Sequence, residues 1–166
     1  QTERKEVFEF VVSELEELVA DGSAMPAAQS NYPRADKGSC LGLLARLYLN
    51  AEVYTKTDKE PGTPMWEEAK ATCEKIYGLG YSICPDYAAL FRGDNGENAQ
   101  AKNEFLFAAA YHNQKTHSYG GTSFLTLAST QSSDVNNQPF YLNGVNGGWA
   151  GIRVPFSYVH RNSLCK

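Results

Sequence analysis

The sequence lacks the features of several large classes of protein. Lys and Arg total 15 against 19 Asp and Glu, so the formal net charge is −4 and the isoelectric point lies near 5.4. A protein that binds nucleic acid needs a basic face for the phosphates, and the basic residues here are scattered. No apolar run approaches the roughly 18 residues that can span a bilayer. We therefore expect no nucleic-acid partner and no membrane-spanning segment in this chain.

Residue pairs with metal-binding or redox spacing are also missing. The four cysteines form no C-x-x-C pair, and the three histidines form no H-E-x-x-H motif. Asp94–Asn98 has the oxygen-rich composition of a calcium loop without its alternating ligand spacing. Cys40 and Cys73 fall on the apolar faces of predicted helices, where a buried thiol acts as a small hydrophobic group. The sequence thus predicts neither a metal nor a cofactor.

Helical periodicity dominates residues 1–80. Apolar residues recur at steps of three and four over Thr2–Ala20, 35–55 and Trp66–Tyr77, with Thr2 placed to cap the first helix. The second helix is apolar on two sides, so we expect it to lie between neighbours. The predicted core faces are Val7, Phe8, Val11, Leu15, Leu18 and Val19 on the first helix; Cys40, Leu41, Leu43, Leu44, Leu47, Tyr48 and Ala51 on the second; and Trp66, Ala69, Cys73, Ile76 and Tyr77 on the third.

The spacing of the second and third helices is compatible with a helical repeat. Their predicted starts lie about 31 residues apart, close to the roughly 34-residue period of tetratricopeptide helix pairs. Trp66 followed by Ala69 is a partial tetratricopeptide signature. The same two residues fit equally well an aromatic side chain in the core of a helix bundle, so both interpretations stay open here.

Residues 81–166 differ in composition and are rich in Gly, Asn, Ser and Tyr. The pattern predicts a short helix over Pro85–Phe91 that packs Leu90 and Phe91, a turn over Gly93–Asn98, and a short strand over Glu104–Tyr111. From His117 onward nearly no periodicity remains, which is typical of a binding surface or of a segment that packs on other chain. The predicted fold class is mainly α, with tetratricopeptide-like helix pairs over 1–80 and a loop-rich region with little β over 81–166.

Several stretches resemble, in order and spacing, the landmarks of the SusD-like (SusD/RagB) family of outer-membrane nutrient-binding lipoproteins. They are Tyr32–Gly38 running into Leu43–Ala51, Trp66–Lys70, Pro85–Phe91, Asn103–Ala108, Gly120–Thr122 and Asn146–Gly151. The resemblance implies a surface protein of Bacteroidetes-type bacteria that captures glycans for a SusC-like TonB-dependent outer-membrane transporter. Family members are much longer and start with a lipidated cysteine after a signal peptide. We therefore expect an internal piece of such a protein, anchored through its parent.

The second half carries the residue types that a sugar site needs. Sugar rings present apolar C–H faces and hydroxyl groups, so a binder combines aromatic platforms with amide and cationic donors. The candidates are Trp149, Tyr119 and Tyr141 as platforms, with Asn143, Asn146 and Arg153 as polar partners. Trp149, flanked by glycines, is the leading candidate. Burial as a core plug and contact with another protein remain alternatives for Trp149, as do simple packing for the tyrosines and an ion pair for Arg153.

An enzyme is the class of protein that competes with a sugar-binding protein, and the residues do not favour it. A glycosidase needs two carboxylates across one bond, and those of the second half lie in polar turns or, for Glu104, at the start of a predicted strand. No G-x-S-x-G nucleophile motif is present. We therefore expect a binding protein and not an enzyme. The alternative to a sugar binder is a helical-repeat scaffold that holds a protein partner and has no sugar site of its own.

Overall fold

The computed structural model describes residues 3–112 and, beyond them, residues 115, 124, 127–128, 148–149 and 151. The chain forms two compact units, Gln1–Ala110 and Tyr111–Lys166. Over the described residues the fold is mainly helical and contains no β-sheet, as predicted. The predicted division into a helical region over 1–80 and a loop-rich region over 81–166 stays a prediction. The helices are α1 Arg4–Val19, α2 Lys37–Leu49, α3 Ala51–Thr55, α4 Trp66–Tyr77 and α5 Ala99–Lys102, with a 3₁₀-helix at Tyr87–Phe91.

Helix α2 is the centre of the main hydrophobic core. It packs against α4 and against α1, which confirms the prediction that it lies between neighbours. Its apolar face is buried as predicted, with Leu44 only 2 % exposed. Leu43, expected to broaden that face, instead lies on the exposed side. The buried members of this core are Phe8, Val12, Leu15, Cys40, Leu44, Tyr48, Ala51 and Ala69.

Side-chain hydrogen bonds set the bounds of α2. The Asp36 carboxylate accepts from the backbone N–H of Ser39 at 3.1 Å, and the Ser39 hydroxyl accepts from the Asp36 N–H at 3.3 Å, a reciprocal cap. The helix predicted over 35–55 is interrupted at Asn50, so that prediction of a single helix was wrong. The Asn50 amide donates to the Arg46 carbonyl at 2.9 Å, a local hydrogen bond that competes with helix continuation.

Helix α4 has the predicted bounds but buries a different face. Ala69 and Thr72 are the buried residues, whereas Trp66 is 63 % exposed, Tyr77 is 78 % exposed and Cys73 is exposed. The prediction that Trp66, Cys73 and Tyr77 belong to the core was therefore wrong. Small side chains on the facing stripe let α4 approach α2 closely, and the Thr72 hydroxyl is satisfied by the Glu68 carbonyl at 2.7 Å.

Helix α1 differs from its predicted pattern in two ways. Its N-cap is Glu3, which makes no side-chain cap hydrogen bond. Val12 is buried although the predicted face omitted it, while Val7 and Leu18 are exposed. The Phe8 ring stacks on Tyr54 of α3 with 5.7 Å between centroids, which is one of the contacts that hold α1 against α3.

Residues 81–107 form a second, smaller core of Cys84, Ala89 and Ala101. The predicted short helix is present as the 3₁₀-helix, with Leu90 half-buried but Phe91 exposed, contrary to expectation. The turn over Gly93–Asn98 is confirmed, with the Glu97 N–H donating to Asp94 at 2.9 Å. The strand predicted over Glu104–Tyr111 is wrong, because this stretch pairs with no partner strand among the described residues.

Candidate functional site

Trp149 lies in the second unit, where backbone hydrogen bonds fix the segment that carries it. Its N–H donates to the Leu127 carbonyl at 2.7 Å, and the Gly151 N–H donates to the Ala128 carbonyl at 2.9 Å. The Trp149 ring meets Phe124 edge-on, with 5.7 Å between centroids and 69° between planes. This geometry is a favourable one for aromatic pairs, so Phe124 and the two backbone hydrogen bonds define where the indole lies.

The exposure of Trp149 decides what its ring can do. The residue is 44 % exposed, so part of the indole is in contact with solvent. A side chain that is both positioned and partly exposed is suited to pack against the C–H face of a sugar ring. The platform role of Trp149 itself stays a prediction.

The other five predicted site residues are Tyr119, Tyr141, Asn143, Asn146 and Arg153. All of them lie outside the residues that the structure describes. Their roles as aromatic platforms and polar partners therefore stay predictions.

The first unit contains a cleft that the sequence interpretation missed. It has a volume of about 260 Å³ and lies between residues 29–36 and residues 99–108. We call it the Tyr32 cleft, and its polar and aromatic lining includes Gln29, Tyr32, Arg34, Tyr81, Lys102 and Asn103. The sequence feature that could have indicated this cleft is the pairing of Tyr32 with Arg34 in the linker before α2. From the sequence, that linker is predicted only to lead into a helix and to be one of the family's landmark stretches.

A buried carboxylate organises one wall of the Tyr32 cleft. Asp36 is buried, and besides capping α2 it accepts the Gln29 N–H at 2.8 Å. Gln29 has a φ of 62°, a left-handed conformation that costs a non-glycine residue free energy. The Gln29 amide then donates to the Asn103 side-chain oxygen at 2.8 Å. This hydrogen bond joins the two walls.

Tyr81 forms part of the lining because Gly38 leaves room for it. A Cβ at Gly38, in the first turn of α2, would overlap the Tyr81 hydroxyl. Burial raises the pKa of the Tyr81 phenol, and the nearby Asp36 carboxylate raises it further. Tyr81 is therefore a neutral hydroxyl at physiological pH.

Two cations, Arg34 and Lys102, line the Tyr32 cleft. The Lys102 ammonium lies 5.7 Å from the centroid of the Tyr32 ring, within the range of a cation–π contact. Across the part of the chain that is described, the ion pair formed is Arg92 with Asp86 at 3.4 Å, which leaves Arg34 and Lys102 without one. The cleft can therefore offer positive charge to a ligand.

A second cavity of about 470 Å³ lies along α1, α2 and α4. Leu41, Leu44 and Thr72 contribute to its lining, and the Tyr48 hydroxyl there donates to the Glu16 carboxylate at 2.5 Å. Burial raises the pKa of Tyr48, and the hydrogen bond to Glu16 adds to the effect. The Tyr48–Glu16 hydrogen bond joins α2 to α1 inside this cavity, which Asp21 and Lys75 also line.

The described residues also bear on two other classes of site. No group of three or more His, Cys, Asp or Glu side chains within this portion could hold a metal ion. No helix in the same portion is long and apolar enough to cross a membrane. Cys40 and Cys84 are buried free thiols, and Cys73 is an exposed one.

Comparison with known proteins decides the family. No protein-family model matches the chain. The starch-binding protein SusD of Bacteroides thetaiotaomicron is 33 % identical over 156 residues, which cover 94 % of this chain and 26 % of SusD. The chain belongs to the SusD-like family. It spans about a quarter of the length of that relative.

Family membership confirms the resemblance seen in the sequence, and the fold gives several of its landmarks a structural meaning. Tyr32–Gly38 forms one wall of the Tyr32 cleft and the cap of α2. Trp66–Lys70 opens α4, and Pro85–Phe91 contains the 3₁₀-helix. In this SusD-like chain these landmarks therefore coincide with the starts of helices.

Proposed function

We propose that this chain is part of a cell-surface glycan-binding protein that captures oligosaccharides without chemically changing them. The observation that carries the proposal is the partly exposed Trp149 ring, positioned by Phe124 and by its own backbone hydrogen bond. The likeness to a starch-binding protein supports a glycan as the ligand. Starch-type α-linked glucose chains are therefore the first ligands to test.

Binding would rest on stacking and on hydrogen bonds. The apolar face of a sugar ring packs on Trp149, with Tyr119 and Tyr141 as further platforms. Asn143, Asn146 and Arg153 would supply hydrogen bonds to the hydroxyl groups. Because each hydroxyl exchanges a hydrogen bond to water for one to protein, the net gain is small and affinity is modest. Such binding requires no metal, no cofactor and no catalytic carboxylate pair.

The family suggests a step after capture. The parent protein would sit on the bacterial outer membrane through a lipid anchor and pass the oligosaccharide to a SusC-like TonB-dependent transporter. Modest affinity suits this role, since a ligand held weakly is released quickly. The transporter contact belongs to the parent protein and is proposed on family grounds alone.

One observation favours a second candidate, a helical-repeat scaffold for a protein partner. The outward face of α4 presents Trp66 and Tyr77, both largely exposed. Large aromatic side chains on an exposed face are typical of protein contacts. In that case a protein partner would bind independently of Trp149.

Tryptophan fluorescence tests the glycan proposal directly. Trp66 and Trp149 are the two tryptophans, and Trp66 is exposed, so Trp66→Phe should leave the fold intact and make Trp149 the sole reporter. We expect titration with maltoheptaose to give a saturable change in emission. The matched control is Trp149→Phe with Trp66 retained, in which the same titration should leave the emission unchanged.

The outcomes separate the candidates. A saturable change in the Trp66→Phe protein that is absent from the Trp149→Phe control supports capture at Trp149. Emission that neither maltoheptaose nor a panel of β-linked oligosaccharides changes would overturn the platform role of Trp149. A protein partner whose binding survives Trp149→Phe but is lost with Tyr77→Ala would favour the scaffold instead.

A further inference from the structure

We propose that the Tyr32 cleft is a second ligand site, specific for a single sugar ring that bears a carboxylate, such as a uronic acid. The cleft lies wholly within the first unit, and its lining does not include Trp149. The proposal therefore does not depend on the glycan site proposed above.

The charges around the cleft favour an anion. Arg34 and Lys102 form no ion pair within the described part of the chain. Among the described residues that line the cleft, the one carboxylate is Asp36, which is buried and already accepts hydrogen bonds from Gln29 and Ser39. A ligand in the cleft thus meets positive charge, although the whole chain carries a net charge of −4. Guanidinium and ammonium groups make their strongest hydrogen bonds to carboxylate and phosphate oxygens.

The uncharged lining favours a sugar ring over a bare carboxylate. Tyr32 and Phe107 are aromatic side chains that are both exposed at the cleft. Aromatic rings pack well against the C–H faces of sugars. The side-chain amides of Gln29 and Asn103 use one donor and one acceptor on each other at 2.8 Å. The Asn103 amide N–H groups are already used on the Gly80 carbonyl and the Ser82 hydroxyl, whereas the Gln29 amide has a second N–H that it can donate to a ring hydroxyl.

The size of the cleft and the hydrogen bonds of Gln29 bear on the kind of ligand that the cleft can hold. Its volume of about 260 Å³ lies just below the roughly 300–1,000 Å³ usual for ligand pockets, which is room for about one sugar ring. Gln29 is kept in its left-handed conformation by its hydrogen bonds to Asp36 and Asn103. Backbone strain that the surroundings maintain in this way clusters at ligand sites.

Calorimetric titration with three small probes tests the proposal. Sodium glucuronate should bind saturably, whereas glucose, which lacks the carboxylate, and sodium acetate, which lacks the ring, should bind at least about tenfold more weakly. Arg34→Gln and Lys102→Gln should each weaken glucuronate binding about tenfold, because each removes one charged donor. Arg46→Gln and Lys59→Gln make the same charge changes at exposed positions outside the cleft and should leave binding unchanged.

Each alternative result has a definite meaning. Acetate binding as strongly as glucuronate would overturn the sugar assignment, and glucose binding as strongly would overturn the role of the cations. Absence of glucuronate binding in a protein with unchanged helical circular dichroism would overturn the site itself. Trp149→Phe should leave glucuronate binding intact while abolishing any response to maltoheptaose. The two proposals therefore fail or succeed separately.

Discussion

The helices up to Tyr77 and the segment of residues 81–107 belong to the same unit but are stabilised in different ways. The helices bury large apolar side chains at helical spacing, among them Leu15, Leu44 and Tyr48. The later segment buries only Cys84, Ala89 and Ala101 as its core. Its conformation is stabilised instead by side-chain oxygens that accept hydrogen bonds from backbone N–H groups. Asp86 accepts from Ala88, Asn98 from Gln100 and Ala101, and Glu104 from Cys84.

The comparison shows why one region is easier to predict than the other. Burial of apolar area contributes about 25 cal/mol per Å², so a helix with a large apolar stripe is stabilised by that stripe. A four-residue helix such as α5 is too short to persist on its own. Its stability must come from the Asn98 cap and from the contacts of Ala101. Small sequence changes should therefore act through packing in the first region and through hydrogen bonds in the second.

Leu44→Ala should have the largest effect, because it removes a nearly inaccessible side chain from the centre of the main core. We expect the free energy of unfolding to fall by about 2–5 kcal/mol. Leu43→Ala is the matched control on the same helix, since Leu43 is 46 % exposed, and it should cost less than about 1 kcal/mol. Urea denaturation of both variants measures the difference. Equal losses would contradict the described orientation of α2.

Gly62→Ala should have the second-largest effect on the free energy of unfolding. It tests whether close packing also fixes the conformation of a loop in the helical region. A Cβ at Gly62 would overlap the backbone carbonyl of Glu52 in α3. The Thr63 N–H donates to the Thr55 hydroxyl at 2.7 Å, which holds the loop against that helix. We expect a loss of about 1–3 kcal/mol in urea denaturation, because backbone atoms must move.

The control for Gly62 is Gly93→Ala, at a turn glycine where a Cβ would meet nothing within 4 Å. Its stability should be unchanged or slightly raised, since alanine restricts the unfolded chain. If Gly93→Ala destabilised the protein as much as Gly62→Ala, the described close approach of the loop to α3 would be refuted.

Asn98→Ala should have the smallest effect and should be local to the second region. It removes the side-chain oxygen that accepts from Gln100 at 2.9 Å and from Ala101 at 3.2 Å. Loss of such a cap costs about 0.5–2 kcal/mol. Gln100→Ala, at an exposed neighbouring position, should change stability by no more than about 0.5 kcal/mol.

Hydrogen exchange distinguishes a local effect of Asn98→Ala from a global one. The amide of Ala101 should exchange faster in the variant, while the amides of α2 keep their protection. Uniform acceleration across both regions would show that the two cores unfold together, and the contrast between them would then fail.

Some features of the fold could be predicted from short stretches of sequence. The bounds of α4 were predicted correctly because Trp66–Tyr77 combines apolar spacing with glycines just beyond its end. The turn at Gly93–Asn98 is likewise local, since its hydrogen bonds join residues only a few positions apart. Family membership was also visible in the order of short motifs.

Other features depend on contacts between distant residues. The choice of face on α4 was missed because Trp66 and Ala69 are both apolar, and only the close approach to α2 favours the smaller side chain. The strand predicted over Glu104–Tyr111 failed because alternation in one segment does not supply a partner. The Tyr32 cleft was missed because Gln29 and Asn103 bond across 74 residues of sequence.

The sequence by itself determined the helical class, the position of α4, the turn at Gly93–Asn98 and the family, since all of these depend on spacing within short stretches. Only the tertiary structure decided which helix faces are buried, where α2 gives way to α3, and that Arg34 and Lys102 line one cleft. The physical reason is that burial and charge pairing are properties of neighbours in space. Periodicity limits those neighbours to a few choices, and close packing selects among them.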